Sequence, residues 1–189
     1  MKDNQPIYEE LFALLSRRQE VEAAHSQGMS SLAFAFREAV HKQLGFPEET
    51  FLRPVAEGEA VDANASQREP WVRLYEYAEG QMMPATGPVL RTIQADGSLS
   101  FAIGVSLSAE LDSHPKYHFW AAYSLSMHPS DNEPVLETLS GKSREYRIRN
   151  NDFSKVIDDF VSEVKAALDP GTIFSAAKKS ECIGFFCSA

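Results

Sequence analysis

The chain is poor in the residues that carry covalent and metal chemistry. Its 189 residues include two cysteines, Cys182 and Cys187, both within the last eight positions. A disulfide framework spanning the chain is excluded, and the pair lacks the two-residue gap of a zinc knuckle or redox motif. Cys187 stands third from the end, whereas a prenylation box needs the fourth position. The opening residues, MKDNQPIYEE, contain no apolar signal core, so the thiols read as reduced and the protein as cytoplasmic. No apolar run approaches the roughly 18–20 residues of a membrane-spanning helix, and no membrane partner is expected.

Nucleotide and acyl-transfer signatures are missing as well. Nothing matches G-x-x-x-x-G-K-[ST], G-x-G-x-x-G or the nucleophile elbow G-x-S-x-G. Asp112, His114 and His118 are close in sequence but lack metal-ligand spacing, so neither a metal nor a cofactor is expected. Basic charge is also scarce: 18 Lys and Arg stand against 27 Asp and Glu, a net charge of -9. With no run of Lys or Arg, such a surface repels phosphate backbones, and general nucleic-acid binding is not expected. Arg144, Arg147 and Arg149 form the only local basic stripe, the wet face of an edge strand. Glu133, Glu137 and Lys142 straddle a hairpin in a weak nuclease-like pattern.

Core material is plentiful. The chain is 43% hydrophobic, with twelve Phe, six Tyr and two Trp. A single domain of this length buries roughly 70% of its unfolded surface.

The periodicity divides the chain in five. Residues 1–45 are helical. One helix is predicted over 6–27, with Ile7, Leu11, Leu14, Leu15 and Val21 near one stripe. Gly28 breaks it, and a second helix runs over 30–44 with Leu32, Phe36, Val40 and Leu44 on one face. Gly45 and Pro47 supply the stop. Residues 46–69 carry six acids against Arg53 and Arg68 and read as a long acidic loop, with Phe51 and Leu52 attached to the body. From 70 to 149 the period becomes two. Strands are predicted at 70–78, 87–94, 98–108, 116–128, 134–139 and 143–149, joined by short turns in an antiparallel meander. A Met-rich loop at 79–86 holds Met82 and Met83. An amphipathic helix spans 152–168 within 150–170, capped by Asn151 or Asp152. The tail, 171–189, is apolar.

The fold expected is therefore α+β: one domain over 1–189, with two N-terminal helices, a sheet of about six strands, and a long C-terminal helix on one sheet face. That element order resembles sheet-and-helix cups that enclose an apolar cavity.

The stretch SLSFAIGVSLS assigns the faces. Leu99, Phe101, Ile103, Val105 and Leu107 point one way, as do Phe119, Tyr123, Leu125 and Met127 on the next strand; this face carries the helices. Ser100, Ala102, Gly104, Ser106 and Ser108 point the other way, beside His118, Trp120, Ala122, Ser124, Ser126 and His128. Matching apolar to apolar selects a three-residue loop Ala95-Asp96-Gly97, with Gly97 left-handed, Ile93 opposite Leu99 and Val89 opposite Ile103. Arg91 then falls beside Phe101.

The expected function is a non-catalytic acidic protein-binding module: an inhibitor, an immunity-type protein or an accessory subunit. It would act through the smooth sheet face (Trp120, His118, His128, Ser106) or the apolar tail (Phe185, Phe186). The partner expected is another protein, a basic one suiting the acidic surface, with a homo-oligomer also open. The alternative is a small-ligand carrier with Arg91 and Tyr123 in a cavity between sheet and helix. A hydrolase or nuclease using His118, His128 and nearby carboxylates ranks below both.

Overall fold

The structure is a computed structural model that describes residues 7–48, 50–52, 68–108, 116–140, 143–169 and 184–188; at 51, 52, 68, 116 and 184–188 it describes the backbone alone. The expected α+β architecture with an antiparallel sheet is present. Helix α1 spans Ile7–Leu44. A two-stranded pair, β1 (Phe51–Leu52) and β2 (Arg68–Glu69), closes the base of the acidic stretch, whose interior lies outside the described residues. The main sheet contains β3 (Val72–Ala78), β4 (Gln81–Pro84), β5 (Leu99–Leu107), β6 (Lys116–Met127), β7 (Pro134–Thr138), β8 (Glu145–Arg147) and β9 (Gly184–Ser188). Helix α2, Ser154–Leu168, lies between β8 and β9 in sequence. The strand order is β4-β3-β5-β6-β7-β8, with β9 also paired to β6.

The two helices expected at the N-terminus are one. Gly28 does not break α1: glycine inside a helix costs roughly 1 kcal/mol against alanine, and no proline is present to remove a backbone bond. The helix stops at Gly45, where the Phe46 N–H folds back to the His41 carbonyl (3.3 Å) and the Gly45 N–H to that of Lys42 (3.2 Å). Phe46 then stacks on Trp71, with ring centroids 5.8 Å apart.

The strand expected over 87–94 is reduced to a single bridge, Ile93 to Leu99. The three-residue loop forms as expected, with Gly97 at φ +83, a conformation that L side chains avoid. The chain then leaves β5. Ser30 Oγ accepts the Leu90 N–H (3.0 Å), and Glu76 Oε1 accepts the Arg91 N–H (3.2 Å). Leu90 turns in beneath α1, Val89 stays exposed, and β3 takes the vacated edge of β5, with Val72 opposite Val105 and Leu74 opposite Ile103. The expected Met-rich loop is instead β4, joined to β3 by a tight turn with Glu79 at φ 51 and Gly80 at φ 78.

The large sheet face is the core. Leu99, Phe101, Ile103, Phe119 and Leu125 are buried, and two helix stretches cover them. Met29, Ala33, Phe36 and Val40 come from the C-terminal half of α1, and Val156, Ile157, Phe160 and Val164 from α2. Phe36 sits at the centre, edge-on to Tyr123 (5.2 Å) and Phe101 (6.2 Å) and beside Phe153 (5.2 Å). At the start of α2, Asp152 Oδ1 accepts the Ser154 N–H (3.0 Å), and hydrogen bonds from Ser154 hold that carboxyl below its ordinary range.

Candidate functional site

Strand alternation places the sheet-face residues on the small side, as the sequence implies. That side is not a smooth free surface. Ala102 and Ala122 are fully buried, and Ser100 and Ser106 nearly so. Tyr75, opposite Ala102, lays its ring over Gly104; a Cβ at Gly104 would lie 2.6 Å from Tyr75 Cε2. The small residues of β5 thus make room for an aromatic side chain of the protein itself. Burial raises the Tyr75 hydroxyl above its ordinary pKa, with Arg73 acting the other way.

Trp120 is half-buried opposite Gly104, its ring 6.5 Å from that of Tyr77. Its indole Nε1 is buried without a hydrogen-bond partner among the described residues. Ser106 Oγ and His118 Nδ1 lie 2.8 Å apart as direct cross-strand neighbours, with Ser106 only 8% exposed. His128 lies ten residues beyond His118, about 33 Å along an extended strand. It belongs to a different cluster. Arg147 Nη2 lies 2.7 Å from His128 Nε2, while His128 Nδ1 accepts the Ser130 N–H (3.3 Å) and lies 3.1 Å from Asp131 Oδ1. Arg147 Nη1 also reaches Asp131 (3.3 Å), and Arg149 reaches Glu133 (2.9 Å). The basic stripe of β8 and its flank is therefore matched by acids of the 128–133 turn. The two histidines do not converge.

Phe185 and Phe186 lie on β9, whose backbone pairs with Phe119 and His118; the side chains lie outside the described residues. Tyr123 is buried in the core, and burial, ahead of the nearby Tyr146, Glu163 and Asp159, raises its pKa. Arg91 is exposed on the connection that leaves β5. Arg91 is absent from the lining of the pocket that Tyr123 touches. The pocket between α2 and the sheet has a volume of about 20 Å³, room for one water, and is lined by Tyr123, Arg144, Tyr146, Asp159 and Glu163 among others. At its mouth Tyr146 donates to Asp159 (2.7 Å), and Arg144 bridges Asp159 (3.4 Å) and Glu163 (3.2 Å), tying α2 to the end of the sheet. Burial, and then the bond to Asp159, pushes the Tyr146 hydroxyl up to about 12. Among the described residues, no three His, Cys, Asp or Glu side chains gather as a metal site would require.

The feature that stands out lies elsewhere. Helix α1 meets the body at His25, whose Nε2–H donates to the Gly97 carbonyl (2.7 Å). From there back to Ile7 it projects as an arm of 18 residues, roughly 27 Å long at the helical rise. Ile7, Tyr8, Leu11, Phe12, Leu14, Leu15 and Val21 are 53–75% exposed on it. Tyr8 and Phe12 stack on each other (6.3 Å), and Arg18 pairs with Glu22 (2.7 Å). The periodicity places five of these residues near one stripe and leaves out Tyr8 and Phe12. Those two widen the apolar arc beyond what a helix lying on a sheet requires, and that breadth is the signal the sequence did offer.

No protein family, no curated protein and no solved structure matches this chain.

Proposed function

We propose that the protein is a non-catalytic protein-interaction module, of the inhibitor, immunity-type or accessory-subunit kind, with a rigid sheet-and-helix body that holds out the first half of α1 as its binding element. The observation that supports this is the arm: seven large apolar side chains held in water on a helix anchored at its far end. Protein, rather than lipid, is the surface that suits it. Interfacial membrane helices are rich in Lys and Arg, whereas residues 7–24 carry Glu9, Glu10, Glu20 and Glu22 against Arg17 and Arg18. The small sheet face ranks second as a binding surface, because Tyr75 already occupies its centre. The test is sedimentation velocity of fluorescently labelled protein in concentrated extract of its own cells, comparing wild type with Leu11→Glu/Leu15→Glu. Wild type should sediment faster than the variant, and identical sedimentation of the two contradicts the reading.

A further inference from the structure

The arm also carries information about what covers it. We infer that its partner is the arm of a second copy of this chain, packed antiparallel about a twofold axis near residue 13; this rests on the reading of the arm as a binding element.

Three observations lead there. The first is sequence symmetry along the helix. An antiparallel twofold pairing sets residue i opposite a residue near 26 − i. The four large apolar residues nearest that centre mirror one another: Leu11 faces Leu15 of the second copy, and Phe12 faces its Leu14 across the axis. Tyr8 falls opposite Arg18, a cation over an aromatic face.

The second observation is charge. Glu9 and Glu10 lie before the axis and Arg17 and Arg18 at matching distances after it, with Glu20 and Glu22, the latter paired with Arg18, further on. Antiparallel pairing sets each acidic pair against a basic pair, twice by symmetry. Parallel pairing sets like against like at both ends.

The third is area. Seven side chains at 53–75% exposure present on the order of 600 Å² of apolar surface, taking roughly 200 Å² for a whole aromatic side chain and about 100 Å² for an aliphatic one. That is most of the ~800 Å² one partner contributes to a standard specific interface, and it stands at the upper end of the few hundred Å² a lone soluble protein leaves bare.

The experiment is sedimentation equilibrium of the purified full chain over a range of concentrations, with circular dichroism to confirm folding. Wild type should approach twice 21.0 kDa. Leu11→Glu/Leu15→Glu should keep its helix content and thermal midpoint at low concentration while its dimer dissociation constant rises by ~100-fold or more, because charges would enter a desolvated seam. Glu9→Arg/Glu10→Arg and Arg17→Glu/Arg18→Glu should each weaken the dimer by about tenfold. The fourfold charge swap should restore self-association yet refuse to mix with wild type, which only the antiparallel arrangement predicts.

A wild-type monomer at every concentration, a dimer indifferent to Leu11→Glu/Leu15→Glu, or a charge swap that prefers wild type each overturns the inference. The extract experiment separates the two levels. A monomeric purified protein whose sedimentation in extract still depends on the arm defeats self-pairing alone, whereas arm-independence in both settings defeats the interaction reading too.

Discussion

The two halves of α1 belong to one continuous helix and share a comparable supply of apolar side chains, yet they have opposite surroundings. In residues 25–44, Met29, Ala33, Phe36 and Val40 follow a 4, 3, 4 spacing and are 0–2% exposed against the sheet. In residues 7–24, Ile7, Leu11 and Leu14 follow the same 4, 3 spacing and are 57–75% exposed. Periodicity tells which side chains share a helix face; it does not tell whether anything lies over that face. The second half succeeds because the large sheet face is there to receive it, and the first half lies beyond the last contact, at His25 and the Gly97 turn.

This contrast is open to attack at several points. The largest effect belongs to the docked half. Phe36→Ala removes the ring that touches Phe101, Tyr123 and Phe153 and should cost about 3–5 kcal/mol in chemical denaturation. If it costs no more than a surface substitution, the docked half is not docked. Ser30→Ala leaves the buried Leu90 N–H without its acceptor and should cost about 1–3 kcal/mol, with faster exchange of the Leu90 amide. An unchanged midpoint would mean that Leu90 is not held to α1 in this way. Gly28→Ala, between the halves, should stabilise by about 0.5–1 kcal/mol, because the added methyl meets nothing within 4 Å and the helix loses its most flexible residue. Destabilisation there would mean that α1 bends at Gly28 after all. The smallest effect belongs to the arm. At concentrations where the chain is monomeric, Leu11→Ala should change stability by less than about 0.5 kcal/mol, as exposed positions do.

Titration offers a further check on the body. The Tyr146 hydroxyl is raised to about 12, whereas in the unfolded chain it ionises near 10. Its contribution to stability is therefore complete below pH 10 and lost as pH climbs from there through about 12. The denaturation midpoint of wild type should fall across that window, and that of Tyr146→Phe should fall less steeply. Equal slopes would mean that Tyr146 is not buried against Asp159.

Much of the body was legible in the sequence because strict alternation has few solutions. A slip of one residue in β5 would turn Leu99, Phe101 and Ile103 to the opposite face, so the faces of β5 and β6 and the Ile93–Leu99 bridge follow from hydrophobic matching. The continuation of that hairpin did not follow. Val89 opposite Ile103 satisfies the pattern equally well, and what decides against it is tertiary: β3 competes for the same edge, and Ser30 of α1 claims the Leu90 N–H. The strand β4 was hidden by its turn, Glu79-Gly80, which lacks the Asn or Asp usual at such positions. The alternating serines of β5 announced a face of small residues, but not that Tyr75 would fill it; steric room says nothing about its occupant. The same gap explains the arm, where spacing reveals a stripe but not that the core stops short of it.

The most direct test is amide hydrogen exchange of residues 8–21 followed against protein concentration, with the Leu99–Leu107 amides as an internal reference. Arm amides should exchange fast in dilute solution and become protected as concentration rises, while the reference strand stays constant. Protection that is already complete at high dilution, showing the arm covered by its own chain, or exchange that stays fast at every concentration would contradict the claim that this helix is held out to meet its copy.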